Sequence, residues 1–212
     1  MKIFLRAKHW QLFIVLVGLP FITWIILITQ FLSGTITAPD DLRPEQIFAN
    51  VESFLPKMLV LGLFVTWVMF RWFYSVGVNL HKKLPLIVKM PVRTFKAFVI
   101  IPMVYVVLVS IAMVYFFNHL DFYINGTQFN PPPYFFFFPL LIMPLHLFCV
   151  FCIFYCFYFI AKCLKAVELQ KNVTTGDYIG EFFLLWFFFV GVWFIQPRVN
   201  KLFADDASQP EL

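Results

Sequence analysis

The sequence predicts an all-α membrane protein: a bundle of four transmembrane helices followed by a C-terminal hydrophobic element, either a re-entrant segment or a fifth transmembrane helix. Three observations carry this expectation. Of 212 residues, 62% are hydrophobic and 13% charged, whereas a soluble domain keeps about a quarter of its residues charged. Crossing about 30 Å of hydrocarbon at 1.5 Å per residue takes roughly 20 apolar residues, and four stretches reach that length. Basic residues crowd into alternate inter-helix segments, the pattern that orients helices in a bilayer. The whole chain, 1–212, reads as one integral membrane domain. Its 31 phenylalanines suit a surface facing lipid, since the same surface in water would aggregate.

The first helix is expected over Leu12 to Leu32. Lys2, Arg6 and Lys8 precede it like the n-region of a signal peptide, but its apolar core exceeds the roughly 7 to 15 residues of an h-region and no A-x-A-like site follows. It is therefore read as a retained helix, kinked at Pro20. The second spans Met58 to Val78, interrupted by Arg71; the third spans Ala97 to Phe117, and the fourth Phe135 to Ala161. Asn125-Gly126 and Pro131-Pro132-Pro133 mark a turn and a stiff extended piece between the last two. Asn125-Gly126-Thr127 also fits a glycosylation sequon.

Counting Lys and Arg gives the orientation. With the N-terminus in the cytoplasm, that side holds Lys2, Arg6, Lys8, Lys82, Lys83, Lys89, Arg93, Lys96, Lys162, Lys165 and Lys171, against Arg43 and the boundary residue Lys57 outside. This imbalance predicts a cytoplasmic N-terminus. It also accounts for the net charge of +5 without any nucleic-acid partner.

The C-terminal hydrophobic element is expected at about 178–196. Its uncharged core, Phe182 to Ile195, covers only about 21 Å as a helix, short for a span. Crossing would also carry Arg198 and Lys201 outside. A re-entrant element turning near Gly191 and ending at Gln196 and Pro197 keeps them inside, whereas adding Tyr178 to Gly180 gives a helix long enough for a thin bilayer. Lys165 and Glu168 lie at i, i+3 spacing on a helix leaving the membrane, and Thr174 and Asp177 have capping-box spacing to start the last helix.

Few residues invite chemistry. His146, Cys149, Cys152 and Cys156 read H-x2-C-x2-C-x3-C, and at 100° per residue the cysteines fall within about 60° of arc. A metal centre needs ligands from more than one direction, so cysteines packing between helices is the simpler reading and no metal or cofactor is expected. Arg71 and His146 are the ionisable residues inside spans, candidates for a polar intramembrane site. For Arg71 the choice lies between snorkelling to the headgroups and an anion or lipid-headgroup contact facing the bundle interior. Lys82, Lys83, Lys89, Arg93 and Lys96 flank an apolar loop and are candidate lipid-headgroup contacts. Asp40 and Asp41 read as a solvated loop. No G-x-S-x-G, H-E-x-x-H or phosphate-binding glycine loop occurs.

The stretch Val167-Glu168-Leu169-Gln170, then Gly180-Glu181-Phe182-Phe183-Leu184-Leu185-Trp186-Phe187, then Gly191-Val192-Trp193-Phe194-Ile195-Gln196-Pro197-Arg198-Val199-Asn200 resembles the C-terminal region of small uncharacterised bacterial polytopic membrane proteins. The resemblance covers about 35 residues and departs at Phe189, where that family often has proline. It implies a bacterial inner membrane and no particular activity.

The expected function is that of a non-enzymatic accessory or assembly subunit, with membrane lipids and other membrane subunits as partners. The alternatives are a small transporter or channel component, using polar residues such as Thr23, Gln30, Thr66, Arg71, Ser75, Ser110 and His146, and an intramembrane lipid-processing enzyme using His146 or Glu181.

Overall fold

The computed structural model describes residues 3–36, 44–124 and 134–204, with side-chain surroundings for 3–34, 50–116, 140 and 142–204. Every regular element among them is helical: α1 (Ile3–Arg6), α2 (His9–Phe13), a π-helical turn (Ile14–Gly18), α3 (Leu19–Ile36), α4 (Pro44–Lys82), α5 (Val92–Ile124), α6 (Tyr134–Leu169), α7 (Thr175–Trp186) and α8 (Phe188–Ala204). Four helical stretches are long and apolar enough to cross a membrane: His9–Gly34, Asn50–Lys82, Val92–Phe116 and Ile142–Leu169. The helices overrun the limits expected from sequence because charge marks where hydrocarbon ends, whereas the backbone ladder continues through good helix formers such as Lys162, Lys165 and Glu168. Asp40, Asp41, the Asn125-Gly126 turn and the triple proline lie outside the described residues.

Pro20 does not simply kink its helix. It has no N–H to offer the Leu16 carbonyl and its ring crowds that turn. The backbone responds just before it with the π-helical turn, in which the Leu19 N–H bonds to the Ile14 carbonyl.

Packing follows chain order: α3 on α4, α4 on α5, α5 on α6, with α6 also against α4, α7 against α6, and α8 against α7, α1 and α2. The core gathers at one end of the bundle, where the N-terminal segment, the 83–91 loop, the end of α6 and the α7–α8 pair meet. Phe70, Trp72, Phe73, Val76 and Leu80 of α4 pack there against Phe95 of α5, Phe159, Ile160 and Leu164 of α6, and Ile195 of α8. We call it the basic end, since Lys8, Lys82, Lys83, Lys89, Arg93, Lys171 and Lys201 cluster around it. Away from it the helices leave their apolar faces open. In the most apolar window of α6 50% of the residues are buried, against at most 17% in the other three spans.

One close approach holds α4 to α5. A Cβ on Gly77 would stand 2.3 Å from Cζ of Phe95, whose ring is buried and stacked at 4.3 Å on Phe159. With no room for Phe95 to yield, Gly77→Ala is expected to cost about 1–3 kcal/mol and to lower the melting temperature in detergent. Gly62→Ala, with nothing within 4 Å of its Cβ, should leave melting unchanged.

The C-terminal element departs from expectation. It is two helices, broken at Phe187 (φ −86°, ψ 58°) and not near Gly191, and the second runs through Pro197 to Ala204. Gly191 serves the contact between the two: a Cβ there would lie 1.6 Å from the Leu184 carbonyl oxygen. Pro197 lies in mid-helix on the open side of α8. The helices fold back so that α7 begins and α8 ends at the basic end, where Lys83 Nζ donates to the Leu202 carbonyl at 2.6 Å. At the start of α7 the expected cap is present: the Thr174 N–H and hydroxyl donate to the Asp177 carboxylate at 2.7 and 2.8 Å. These two bonds hold the Asp177 carboxyl below its ordinary pKa.

Candidate functional site

The most organised polar region is a buried network centred on Gln196, whose side chain is fully enclosed. Its origin is the interruption at Ala7 and Lys8 between α1 and α2. Helix termini leave carbonyls without intrahelical partners. The N–H groups that would have served Phe4 and Ala7 are those of Lys8, which bonds to Gln11 Oε1, and Gln11, which bonds to the Lys8 carbonyl. Gln196 Nε2 fills the gap, its two hydrogens shared among the Phe4 and Ala7 carbonyls, both at 2.9 Å, and Asn200 Oδ1 at 2.8 Å. Asn200 Nδ2 adds a bond to the Ala7 carbonyl at 3.1 Å. The orientation of the Gln196 amide is set from the other side, because the indole Nε1 of Trp72, a donor only, reaches Oε1 at 2.8 Å.

Beside it lies an ion network. Glu181, 6% exposed, accepts from Lys165 Nζ at 3.1 Å and from Arg198 Nη2 at 2.9 Å. Arg198 also forks onto both carboxylate oxygens of Glu168, the bidentate geometry that suits guanidinium. Lys165 thus pairs across to α7, not with Glu168 on its own helix. Two acids and two bases balance, and together they pin α7 and α8 to the end of α6. Among the described residues no buried side-chain nitrogen or oxygen lacks a partner. The two networks act as a joint between the N-terminal segment, α6, α7 and α8.

The residues singled out from sequence are scattered. Cys149, Cys152 and Cys156 are buried free thiols in the helix interface. His146, one turn away, is exposed, and its Nδ1 lies 3.2 Å from the Tyr105 hydroxyl. Among the described residues no group of three His, Cys, Asp or Glu is placed to hold a metal. Arg71 is half-buried with its guanidinium 5.9 Å from the Trp67 ring centroid. Of the five loop cations, Lys83 is held by Leu202 and lies 4.5 Å above the Phe203 ring. Lys82, Lys89 and Arg93 are exposed, and Lys96 is half-buried. They surround Leu86 and Ile87, both exposed, in a loop tied down by His81 Nε2 and the Met90 carbonyl at 3.0 Å.

A groove of 640 Å³ opens between α4 and α5, lined by Leu63, Phe64, Thr66, Trp67, Ile100, Met103, Val104, Val107 and Leu108. Apart from Thr66 it is apolar, and neither Arg71 nor His146 lines it. A smaller polar pocket lies between α3 and α4, with Gln30, Asn50, Ser53 and Lys57 in its wall.

No family model, curated protein or solved structure matches the chain. The fold itself assigns roles to the C-terminal motif: of its polar residues, Glu168, Glu181, Gln196, Arg198 and Asn200 belong to the two networks, while Gln170 bonds locally to the Val167 carbonyl. Sequence reasoning missed this assembly. The signal was a Gln, an Arg and an Asn spaced two apart at the end of an apolar run, and it gives no hint that Trp72 and Ala7 are the partners.

Proposed function

We propose that the protein is a non-enzymatic accessory or assembly subunit of the bacterial cytoplasmic membrane, acting through the open outer halves of its helices. The observation that carries this reading is the Tyr105–His146 pair. It lies on an uncovered helix face, about 24 Å along α6 from Lys162 and so within hydrocarbon, where lipid supplies no hydrogen-bond partner. The second ring nitrogen of His146 has no partner among the described residues, and a polar group on a neighbouring subunit's helix would satisfy it. The open apolar faces around it agree, because helices associate in lipid by packing and interhelical hydrogen bonds. A conduit is less well supported, since the large groove is apolar.

The charge distribution supports a cytoplasmic basic end and hence a re-entrant α7–α8 hairpin that enters and leaves on that side. A photoreactive residue replacing Leu147, which is exposed next to His146, is expected to crosslink in living cells to one polypeptide that also co-purifies stoichiometrically. His146→Leu should cut that yield severalfold. Adducts with lipid alone, or a yield indifferent to His146, would overturn the proposal.

A further inference from the structure

We propose that the α4–α5 groove and Arg71 together form a binding site for one anionic phospholipid, with an acyl chain lying in the groove and the phosphate held by the guanidinium. The inference concerns a different face from the Tyr105–His146 pair and stands on membrane embedding alone.

The groove selects for a hydrocarbon chain. Its walls are aliphatic and aromatic except for Thr66, so an occupant with backbone N–H and C=O groups would find almost nothing to bond, whereas methylenes ask for nothing. Its volume lies in the range of sites that enclose small ligands, about 300–1,000 Å³. The charge stands at one end only. Trp67 lines the groove, and Arg71, one helical turn further on the same face, sets its guanidinium over that ring. A cation over an aromatic face keeps its N–H donors unspent, and Arg71 has no carboxylate partner among the described residues.

The second cation follows from the register of the two helices. α4 and α5 run antiparallel about the 83–91 loop, and Trp67 and Ile100 line the same groove. One turn towards the loop from Trp67 is Arg71; one turn towards the loop from Ile100 is Lys96. Gly77 meets Phe95 across the two helices, so Arg71 stands about level with residue 101 and Lys96 lies about 7 Å nearer the loop, both between the groove and the basic end. The two cations step from the groove towards the headgroups. From Lys57 to Arg71 along α4 is about 21 Å, so the Arg71 backbone lies about 9 Å inside the inner edge of a hydrocarbon layer of about 30 Å, and Lys96 stands nearer that edge. An anionic phosphate there neutralises an intramembrane charge that would otherwise have to reach water. Zwitterionic lipid offers the same chain but carries its own compensating cation.

Native mass spectrometry of the detergent-purified protein, titrated with phosphatidylglycerol or phosphatidylcholine of matched chains, tests this directly. Wild type should retain phosphatidylglycerol preferentially, and Arg71→Gln should reduce that retention about fivefold, the equivalent of one charge near the surface. Arg71→Lys, which keeps the charge, should retain most of it, so a general folding defect in the Gln variant can be recognised. Val104→Trp, which fills the groove, should reduce retention of both lipids. Glycerol phosphate, the soluble headgroup, should not compete. The proposal fails if wild type holds the two lipids equally, if the triple loop variant Lys82→Gln/Lys89→Gln/Arg93→Gln loses as much phosphatidylglycerol as Arg71→Gln, if Val104→Trp changes nothing, or if glycerol phosphate displaces the lipid. Recovery of a polypeptide seated on this groove would overturn it in favour of a protein partner.

Discussion

Gly191→Val is expected to prevent the α7–α8 hairpin from closing and to cost more than about 3 kcal/mol, beyond the usual range for a single surface change. The obstacle is a backbone atom. Even the first carbon of a side chain would fall 1.6 Å from the Leu184 oxygen, with the Leu184 carbonyl carbon at 2.4 Å, and no rotamer relieves an overlap with main chain. The helices would have to separate, and separation would draw Arg198 away from Glu181 and expose Leu185, Val192 and Ile195, which the hairpin buries. The expected readout is loss of the monodisperse peak in detergent together with a much lower melting temperature. Gly180→Ala, in the same hairpin but with nothing within 4 Å of its Cβ, is the matched control and should behave as wild type. A Gly191→Val protein that melts with wild type would show that the helices do not approach in this way.

Gln196→Leu ranks second. Leucine fills nearly the same volume, so packing is largely kept and the loss is polar. The Trp72 indole N–H and the Phe4 carbonyl would lose their partners, while the Ala7 carbonyl keeps the Asn200 amide; each unpaired group costs about 1–3 kcal/mol, for a total of about 2–6 kcal/mol. Trp72→Phe alone removes one donor and should cost less. In the double variant Gln196→Leu/Trp72→Phe the orphaned indole is gone, so its destabilisation should fall short of the sum of the two single changes. Amide hydrogen exchange localises the effect: residues 3–13 should lose protection before α4 or α6 does. Uniform loss across the bundle would contradict a joint specific to the N-terminal segment.

The spans were legible because uncharged length is a property of the solvent the chain must meet, and it needs no knowledge of tertiary neighbours. The Thr174–Asp177 cap was legible for a similar reason, since both partners lie within one turn. What could not be read was set by residues far apart in the chain. Nothing near Phe187 marks a break; it arises because α7 is pinned to α6 through Glu181 and Lys165, while α8 must return to meet the N-terminal segment. Glu181, named from sequence only for the lipid-processing alternative, owes its place to Lys165 and Arg198. The departure at Phe189 bears little on the break, because position 189 falls in the first turn of α8, where proline's missing N–H would cost nothing. The Arg71–Trp67 contact lies one turn along a single helix and was in principle readable; the Tyr105–His146 contact joins two helices and was not.

The clamp on the Phe4 and Ala7 carbonyls has a consequence in time. Its two halves are separated by about 190 residues, which a ribosome takes on the order of ten to forty seconds to make. Throughout that interval the Phe4 and Ala7 carbonyls lack the side chain that secures them, which arrives only with position 196. Residues 3–13 therefore gain this fastening only once α8 has been made.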